Sequence, residues 1–360
     1  MKGLSRRDFL KLCAGSAAAV SLSEMLLPHL LEAAPASGNP PALWIQGASC
    51  TGCSVSLLNS EQPAIAKILT DVISLKYHPN VMGAAGDLAL KVLDDTEAAG
   101  GYFLVVEGAV PTKDNGIYCT VGEKDGKPVP FMDRVAELGS KAAAVLAVGT
   151  CAAFGGIPAA TYGGNPTTHG GPTGCMGVLD FFKQKGITTP VINVPGCPPH
   201  PDWMVGSLAH FLLYKKLPPM DKYNRPTMFY GKIIHDNCPR RQYFDNSKFA
   251  KMFSEPYCLL ELGCKGPFAA CDAFNRQWNG GVNWCIKANG PCMACTDMNF
   301  PDGSSPIYQR YPDVKLPNID ASADAVGVTL GAVAVVGIAA HLVGNAVNGR
   351  LSGKEEQGGE

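Results

Sequence analysis

From His235 to Cys295 the chain sets one histidine and seven cysteines into 61 residues. They fall as His235-x2-Cys238, Cys258-x5-Cys264, Cys271-x13-Cys285 and Cys292-x2-Cys295, two sets of four. Regular apolar periodicity fades beyond about Pro218 and loops dominate. A stretch with so little to bury needs another kind of core, and two metal clusters held by these side chains would supply one. His235 alone would read as an ordinary histidine; its H-x-x-C spacing beside three more thiols makes it a ligand candidate. The segment "VNWCIKANGPCMAC", residues 282–295, is the sharpest part. With Cys271 it offers four thiols, enough for every corner of a cubane cluster, where three would leave one corner open. Trp278 and Trp284 read either as core or as shields that keep water from a cluster.

Upstream the pattern differs. The predicted strands Ala42–Gly47, Val72–Pro79, Tyr102–Val110, Ala144–Cys151 and Pro190–Cys197 alternate with helix-length segments such as Ser54–Leu69, Ala84–Ala99 and Met132–Lys141. Continuous apolar strands alternating with helices predict an α/β fold, a flavodoxin-like parallel sheet. Ligands of such sheets sit beyond the carboxyl ends of the strands. "SCTGC" (Cys50, Cys53) follows the first strand, Cys151 closes the fourth and Cys197 the fifth, so four thiols would face one crevice. Gly52, Gly149, Gly155, Gly156 and Gly196 leave room for a bulky inorganic core. Zinc would satisfy the same thiol count.

The chain of 360 residues is 46% hydrophobic and 17% charged, with net charge -1. A large core can be buried, and no basic run marks a nucleic-acid partner. Fourteen cysteines exceed the needs of an ordinary reduced cytosolic enzyme and leave a disulfide scaffold, zinc or iron–sulfur clusters. Disulfide scaffolds suit shorter chains without a good core.

The two ends read as addresses. Arg6 and Arg7, with Ser5, Phe9, Leu10 and Lys11, precede a mildly apolar Ala/Ser-rich run, the pattern of a twin-arginine export signal. Cleavage is expected near Ala34 to Ala36, which removes Cys13. That route carries folded proteins, which suits a cofactor inserted before export. Near the other end, the nineteen residues Ala325–Val343 lack acidic, Lys and Arg side chains and are long enough to span a bilayer. Arg350 and Lys354 would stay on the cytoplasmic side, and Gly327 and Gly331 form a G-x-x-x-G pair for packing on another membrane helix. His341 stands either as a contact for a haem or quinone in a partner or as an interfacial helix-end histidine. The expected organisation is a signal peptide (1–36), a flavodoxin-like domain (42–217), a loop-rich, mostly irregular or helical cluster domain (218–299), a linker (300–324), a transmembrane helix (325–343) and a cytoplasmic tail (344–360).

The stretches "SRRDFLK", "CTGCSVSLLN", "VEGA", "GTCAAFGGIPAA", "PGCPPHPDW", "HDNCP", "ELGCKGP", "RQWNGGVNWC" and "CMAC" resemble, across nearly the whole chain, the small, electron-transfer subunit of exported nickel–iron hydrogenases. The resemblance implies that Cys50, Cys53, Cys151 and Cys197 hold a proximal 4Fe-4S cluster. His235, Cys238, Cys258 and Cys264 would hold a distal one, and Cys271, Cys285, Cys292 and Cys295 a medial one. Many members carry proline at the Cys285 position and a three-iron medial cluster; cysteine here, as in nickel–iron–selenium relatives, implies a full 4Fe-4S cluster of lower potential. Oxygen-tolerant members add two cysteines where Gly52 and Gly156 stand, so an ordinary proximal cluster is expected. Cys119 and Cys175 are left as plain thiols, with mutual pairing the lesser reading.

The function so implied is an electron wire that passes electrons proximal to medial to distal. The nickel–iron centre and H2 chemistry belong to the large subunit, because a C-x-x-C near each end is missing here. Implied partners are that large subunit and a membrane electron acceptor: a cytochrome b, a ferredoxin-like subunit with a quinone-reactive membrane protein, or a multihaem cytochrome. A dimer of heterodimers is one assembly the resemblance allows. The location is the periplasmic side of the cytoplasmic membrane. Thr51 and Glu107 are read as ordinary hydrogen-bonding residues ahead of a role in polarising the proximal site or in proton exit. The rival readings are a secreted disulfide-rich binding protein and a zinc-stabilised membrane-tethered scaffold.

Overall fold

Five apolar runs become the parallel strands β1 (Pro41–Gln46), β2 (Ser74–Tyr77), β3 (Phe103–Glu107), β4 (Ala144–Val148) and β5 (Val191–Val194), in the spatial order β2-β1-β3-β4-β5. This is the flavodoxin-like order, with its switch point between β1 and β3. The computed structural model describes residues 5–7, 39–60, 65, 72–161, 170–310, 314–316, 319–321 and 323–348. The expected signal cleavage site, Phe9 to Cys13, most of residues 61–71 and the tail from 349 onward lie outside the described residues. The chain divides into two units, Met1–Gln309 and Arg310–Glu360.

Alternation along the strands sorts side chains onto two faces. Leu43, Ile45, Leu104, Val106, Val145 and Ala147 face one core with Leu93, Val135, Leu138, Phe181 and Phe182. These last come from α2 (Asp87–Ala99), α3 (Phe131–Lys141) and α5 (Val178–Lys185), which cover that face. Trp44, Val105, Leu146, Val148 and Val194 face the other core. There they meet Leu57 of α1 (Gly52–Leu58) and Trp203, Met204 and Leu212 of α6 (Pro201–Tyr214). The same core takes in Phe229, Tyr230, Ile234, Leu259, Trp284 and Ile286. The loop-rich half is therefore built onto the second face of the sheet. Its helices at Thr227–Tyr230, Arg241–Asp245 and Ala273–Arg276 are only one turn or so long.

All five strands stop short of the expected ends, two of them before the cysteines expected to close them. β4 ends at Val148, and Gly149, with φ of +85°, turns the chain into α4 (Gly149–Phe154), which carries Cys151. β5 ends at Val194 because Pro195 and Gly196 break the ladder. Cys53 likewise sits on α1 rather than in a loop.

In the second unit, Val314–Leu316 and Ile319–Ala321 form an antiparallel pair. They precede α7 (Ala323–Val347), a helix longer than the expected span. Its stretch Ala325–Val347 carries no Asp, Glu, Lys or Arg and buries nothing within the structure, so by length and composition it can cross a membrane. Asn345 Nδ2 donates to His341 Nε2 at 2.9 Å.

Candidate functional site

The thirteen described cysteines are all free thiols, so no pair of them closes a disulfide. Among the described residues, no three His, Cys, Asp or Glu side chains converge as a single metal ion requires. The thiols are instead grouped more loosely, and each group is felt through its fields. Burial comes first in pushing Cys53 far above the ordinary thiol range; the Glu107 carboxylate and then the Cys151, Cys50 and Cys197 thiols add to it. Burial and then Cys197 push Cys151 up to about 12. The four predicted proximal residues thus share one place at the carboxyl end of the sheet.

Glycine makes that place. A Cβ on Gly149 would lie 2.4 Å from the Cys53 sulfur, and one on Gly156 would lie 2.9 Å from the Cys151 sulfur at a φ of +51°. Both positions require a residue without a side chain. Thr51 caps α1 in the left-handed region at φ 65° and holds the turn through its N–H, donated to Ser49 Oγ at 3.0 Å. Ser56 Oγ donates to the Pro199 carbonyl at 2.7 Å and fastens α1 to the loop after β5.

Behind this loop lies Glu107, with no exposed surface. Its carboxylate accepts from Trp44 Nε1 (3.0 Å), Gln46 Nε2 (3.1 Å), Ser49 Oγ (3.2 Å), the Cys53 backbone N–H (3.0 Å) and Ser54 Oγ (2.5 Å). Ser54 Oγ also meets His78 Nε2 at 3.1 Å, and His78 Nδ1 accepts from the Asn80 N–H at 3.2 Å. Burial lowers His78 below its ordinary range. Glu107 is the hub of the loop that carries Cys50 and Cys53. The sequence offered only "VEGA" as its signal, because its five donors come from β1, the turn and α1.

The predicted distal set lines one small cavity: His235, Cys238, Cys258 and Cys264 share it with Arg240, Ile234, Leu259, Gly266 and Ile286. Backbone N–H groups of Arg240 and Gly266 reach the Cys238 and Cys264 sulfurs, each at 3.4 Å. The His235 ring stacks edge-on against Phe244, with centroids 4.5 Å apart.

The predicted medial set lies deeper, except Cys285, which is exposed. Burial raises Cys271 and Cys292 well above the ordinary thiol range, and raises Cys295 to about 12, with Cys285 and Cys197 contributing to the last. Its frame is ionic. Arg276, 5% exposed, bridges Asp202 of α6 (2.9 Å) and Asp272 (2.6 Å), and Trp203 Nε1 donates to Asp272 Oδ1 at 2.7 Å. His200, the cap of α6, accepts the Asp202 N–H at Nδ1 (3.0 Å) and so donates from Nε2 to the Gln277 carbonyl at 2.7 Å. Trp278 stacks on His200, and Trp284 is buried in the core.

The three sets interlock. Thr150, next to Cys151, accepts the Gly196 N–H at 2.9 Å and donates to the Cys295 carbonyl. On the other side, the Lys265 N–H, next to Cys264, donates to the Cys292 carbonyl at 2.6 Å. Thr150 and Arg240 escaped the sequence reading, since nothing local distinguishes them. Cys119 and Cys175 are free thiols, and Cys175 packs in one small cluster with Cys151; burial and the field of Cys175 raise Cys119 to about 11.

Buried thiols with raised pKa values stay protonated unless a cation displaces the proton, so these sets are chemically suited to a multinuclear cationic group. Free thiols, one histidine and glycine cradles fit iron–sulfur clusters in donor type and room.

Comparison with known proteins agrees in both halves. Residues 230–308 match the family of the C-terminal part of the NiFe/NiFeSe hydrogenase small subunit. Residues 50–211 match "NADH ubiquinone oxidoreductase, 20 Kd subunit". The chain is similar to the periplasmic [NiFeSe] hydrogenase small subunit of Desulfomicrobium baculatum, 46% identical over 85% of this chain and 98% of that one. It is also similar to the hydrogenase-2 small chain of Escherichia coli K12, 36% identical over 93% and 90% of the two chains. A solved structure of the H2-activated D. baculatum [NiFeSe]-hydrogenase superposes with a TM-score of 0.71 at 46% identity, covering 76% of this chain and 99% of that one.

Proposed function

Because this chain belongs to the NiFe/NiFeSe hydrogenase small-subunit family, we propose that it is a three-cluster wire leading electrons from a nickel-containing partner to a membrane acceptor. As a member it is the electron-transfer subunit of an oxidoreductase, and the H2 active site lies in the large subunit with which it pairs. The observation that carries the finer reading is the hydrogen bonding between neighbouring thiol sets, Thr150 beside Cys151 to the Cys295 carbonyl and Lys265 beside Cys264 to the Cys292 carbonyl. These links support the order proximal, medial, distal.

Cys50, Cys53, Cys151 and Cys197 would hold the proximal 4Fe-4S cluster, Cys271, Cys285, Cys292 and Cys295 the medial one, and His235, Cys238, Cys258 and Cys264 the distal one. Each cluster, when bound, takes up and releases one electron at a time. H2 yields two protons and two electrons, so two single transfers follow each turnover. The protein positions the thiols, keeps water from the medial set with Trp284 and the Arg276 frame, and supplies N–H groups to the sulfurs. Cys50 and Cys197 are exposed, as are Val55 and Leu58 of α1, the helix that carries Cys53. This surface suits the large subunit. Arg6 and Arg7 support twin-arginine export, and α7 supports a membrane anchor with the body on the periplasmic side and a cytochrome b or quinone-linked acceptor beside it.

The test is iron content and EPR of the anaerobically purified heterodimer. Thirteen irons per heterodimer are expected, twelve in three 4Fe-4S clusters and one in the partner's nickel–iron centre, with reduced-state signals from each cluster. Zinc in place of iron, or a count fitting two clusters, would sink the three-cluster reading.

A further inference from the structure

Two charges sit at opposite ends of the interlocked thiols, and their signs differ. At the proximal end, all five contacts to the buried Glu107 carboxylate come from donors, and one is the Cys53 N–H. An acceptor-only carboxylate holds its negative charge in place beside the thiols. At the distal end, Arg240 lines the cavity shared by His235, Cys238, Cys258 and Cys264. Its guanidinium donates to two neutral oxygens, the Tyr257 carbonyl at 2.9 Å and Asn289 Oδ1 at 2.6 Å. Guanidinium is always charged, so a positive charge is fixed there. The other charged groups near the distal thiols are Lys265 and Glu261, one of each sign, and the Arg241–Asp236 and Arg241–Asp245 pairs, which are solvent-exposed and screened. The Asp202–Arg276–Asp272 frame stands between the two ends.

We propose that Glu107 and Arg240 are potential-setting residues that tilt the wire: Glu107 makes the proximal cluster harder to reduce and Arg240 makes the distal cluster easier to reduce, so electrons fall outward. Each adds or withdraws stabilisation for an incoming negative charge, Glu107 from a fully buried position and Arg240 from the half-buried wall of the distal cavity. The inference rests on the three-cluster reading above.

The experiment is an EPR-monitored redox titration of the intact anaerobic heterodimer, with Glu107→Gln, Arg240→Gln and the charge-keeping Arg240→Lys. The distal signal is told apart by nitrogen coupling from His235. Glu107→Gln is expected to move the proximal couple upward, and Arg240→Gln the distal couple downward, each by about tenfold in the reduction equilibrium, or about 59 mV for one electron. Arg240→Lys should leave the distal couple close to that of the parent. Unmoved or oppositely moved couples, with iron content intact, overturn the proposal. If Glu107→Gln loses its proximal iron, the Arg240 pair decides alone, and equal distal couples in the two variants overturn it. Missing iron or missing nitrogen coupling in the parent protein instead refutes the cluster assignment.

Discussion

The proximal and distal thiol sets are built by opposite means. Cys50, Cys53, Cys151 and Cys197 follow strands of a sheet whose two cores consist largely of ordinary apolar side chains. His235, Cys238, Cys258 and Cys264 hang from 3-10 turns and loops, and the cavity they line interrupts the packing around them. In the first case the fold can exist and receive a group; in the second the group completes the fold. The medial set is intermediate, since Cys271 and Cys292 are buried in the shared core and the Asp202–Arg276–Asp272 triad ties that region to α6.

The largest expected effect breaks the two regions apart. Anaerobic removal of iron should abolish hydrogen-exchange protection across residues 230–308 while β1, β3, β4 and β5 keep most of theirs, because structural metal binding free energy is folding free energy. Equal loss in both regions would mean that the sheet does not stand alone.

Next comes the brace. Arg276→Ala leaves Asp202 and Asp272 buried without their cation, and should cost about 3–5 kcal/mol, read as a lowered urea midpoint. A change below about 1 kcal/mol, the range of exposed pairs, would show the triad to be well solvated.

A smaller effect tests the cradle on the sheet side. Gly149→Ala brings a Cβ within 2.4 Å of the Cys53 sulfur at a φ of +85°. Backbone strain of about 1–3 kcal/mol and a displaced thiol should lower proximal iron occupancy, seen as loss of that EPR signal with the distal one intact. Full occupancy would show that Cys53 can swing away.

The finest probe is Cys285→Pro, which removes one thiol from the medial set. The expected result is one iron fewer per protein and an oxidised three-iron EPR signal. An unchanged iron count would remove Cys285 from the ligand set.

The elements themselves were legible. Phe103–Glu107 and Ala144–Val148 are buried at every position, and a strand covered on both faces reads as an unbroken apolar run. The thiol spacings were equally plain, since H-x-x-C and C-x-x-C are local patterns. The strand ends were not legible, because apolar character continues past Val148 into α4, and only the positive φ of Gly149 turns the chain. Glu107 and Arg240 were undervalued for the same reason: their significance lies in partners from other segments.

The amino-acid order by itself determined which segments are strands, where glycine relieves crowding and how many thiols each cluster of positions offers, because burial pattern and ligand spacing are written within a few neighbouring residues. Which sets adjoin was decided only in three dimensions. Thr150 meets the Cys295 carbonyl across 145 residues of sequence, and that meeting depends on the strand order and on the loop-rich half packing against one face of the sheet.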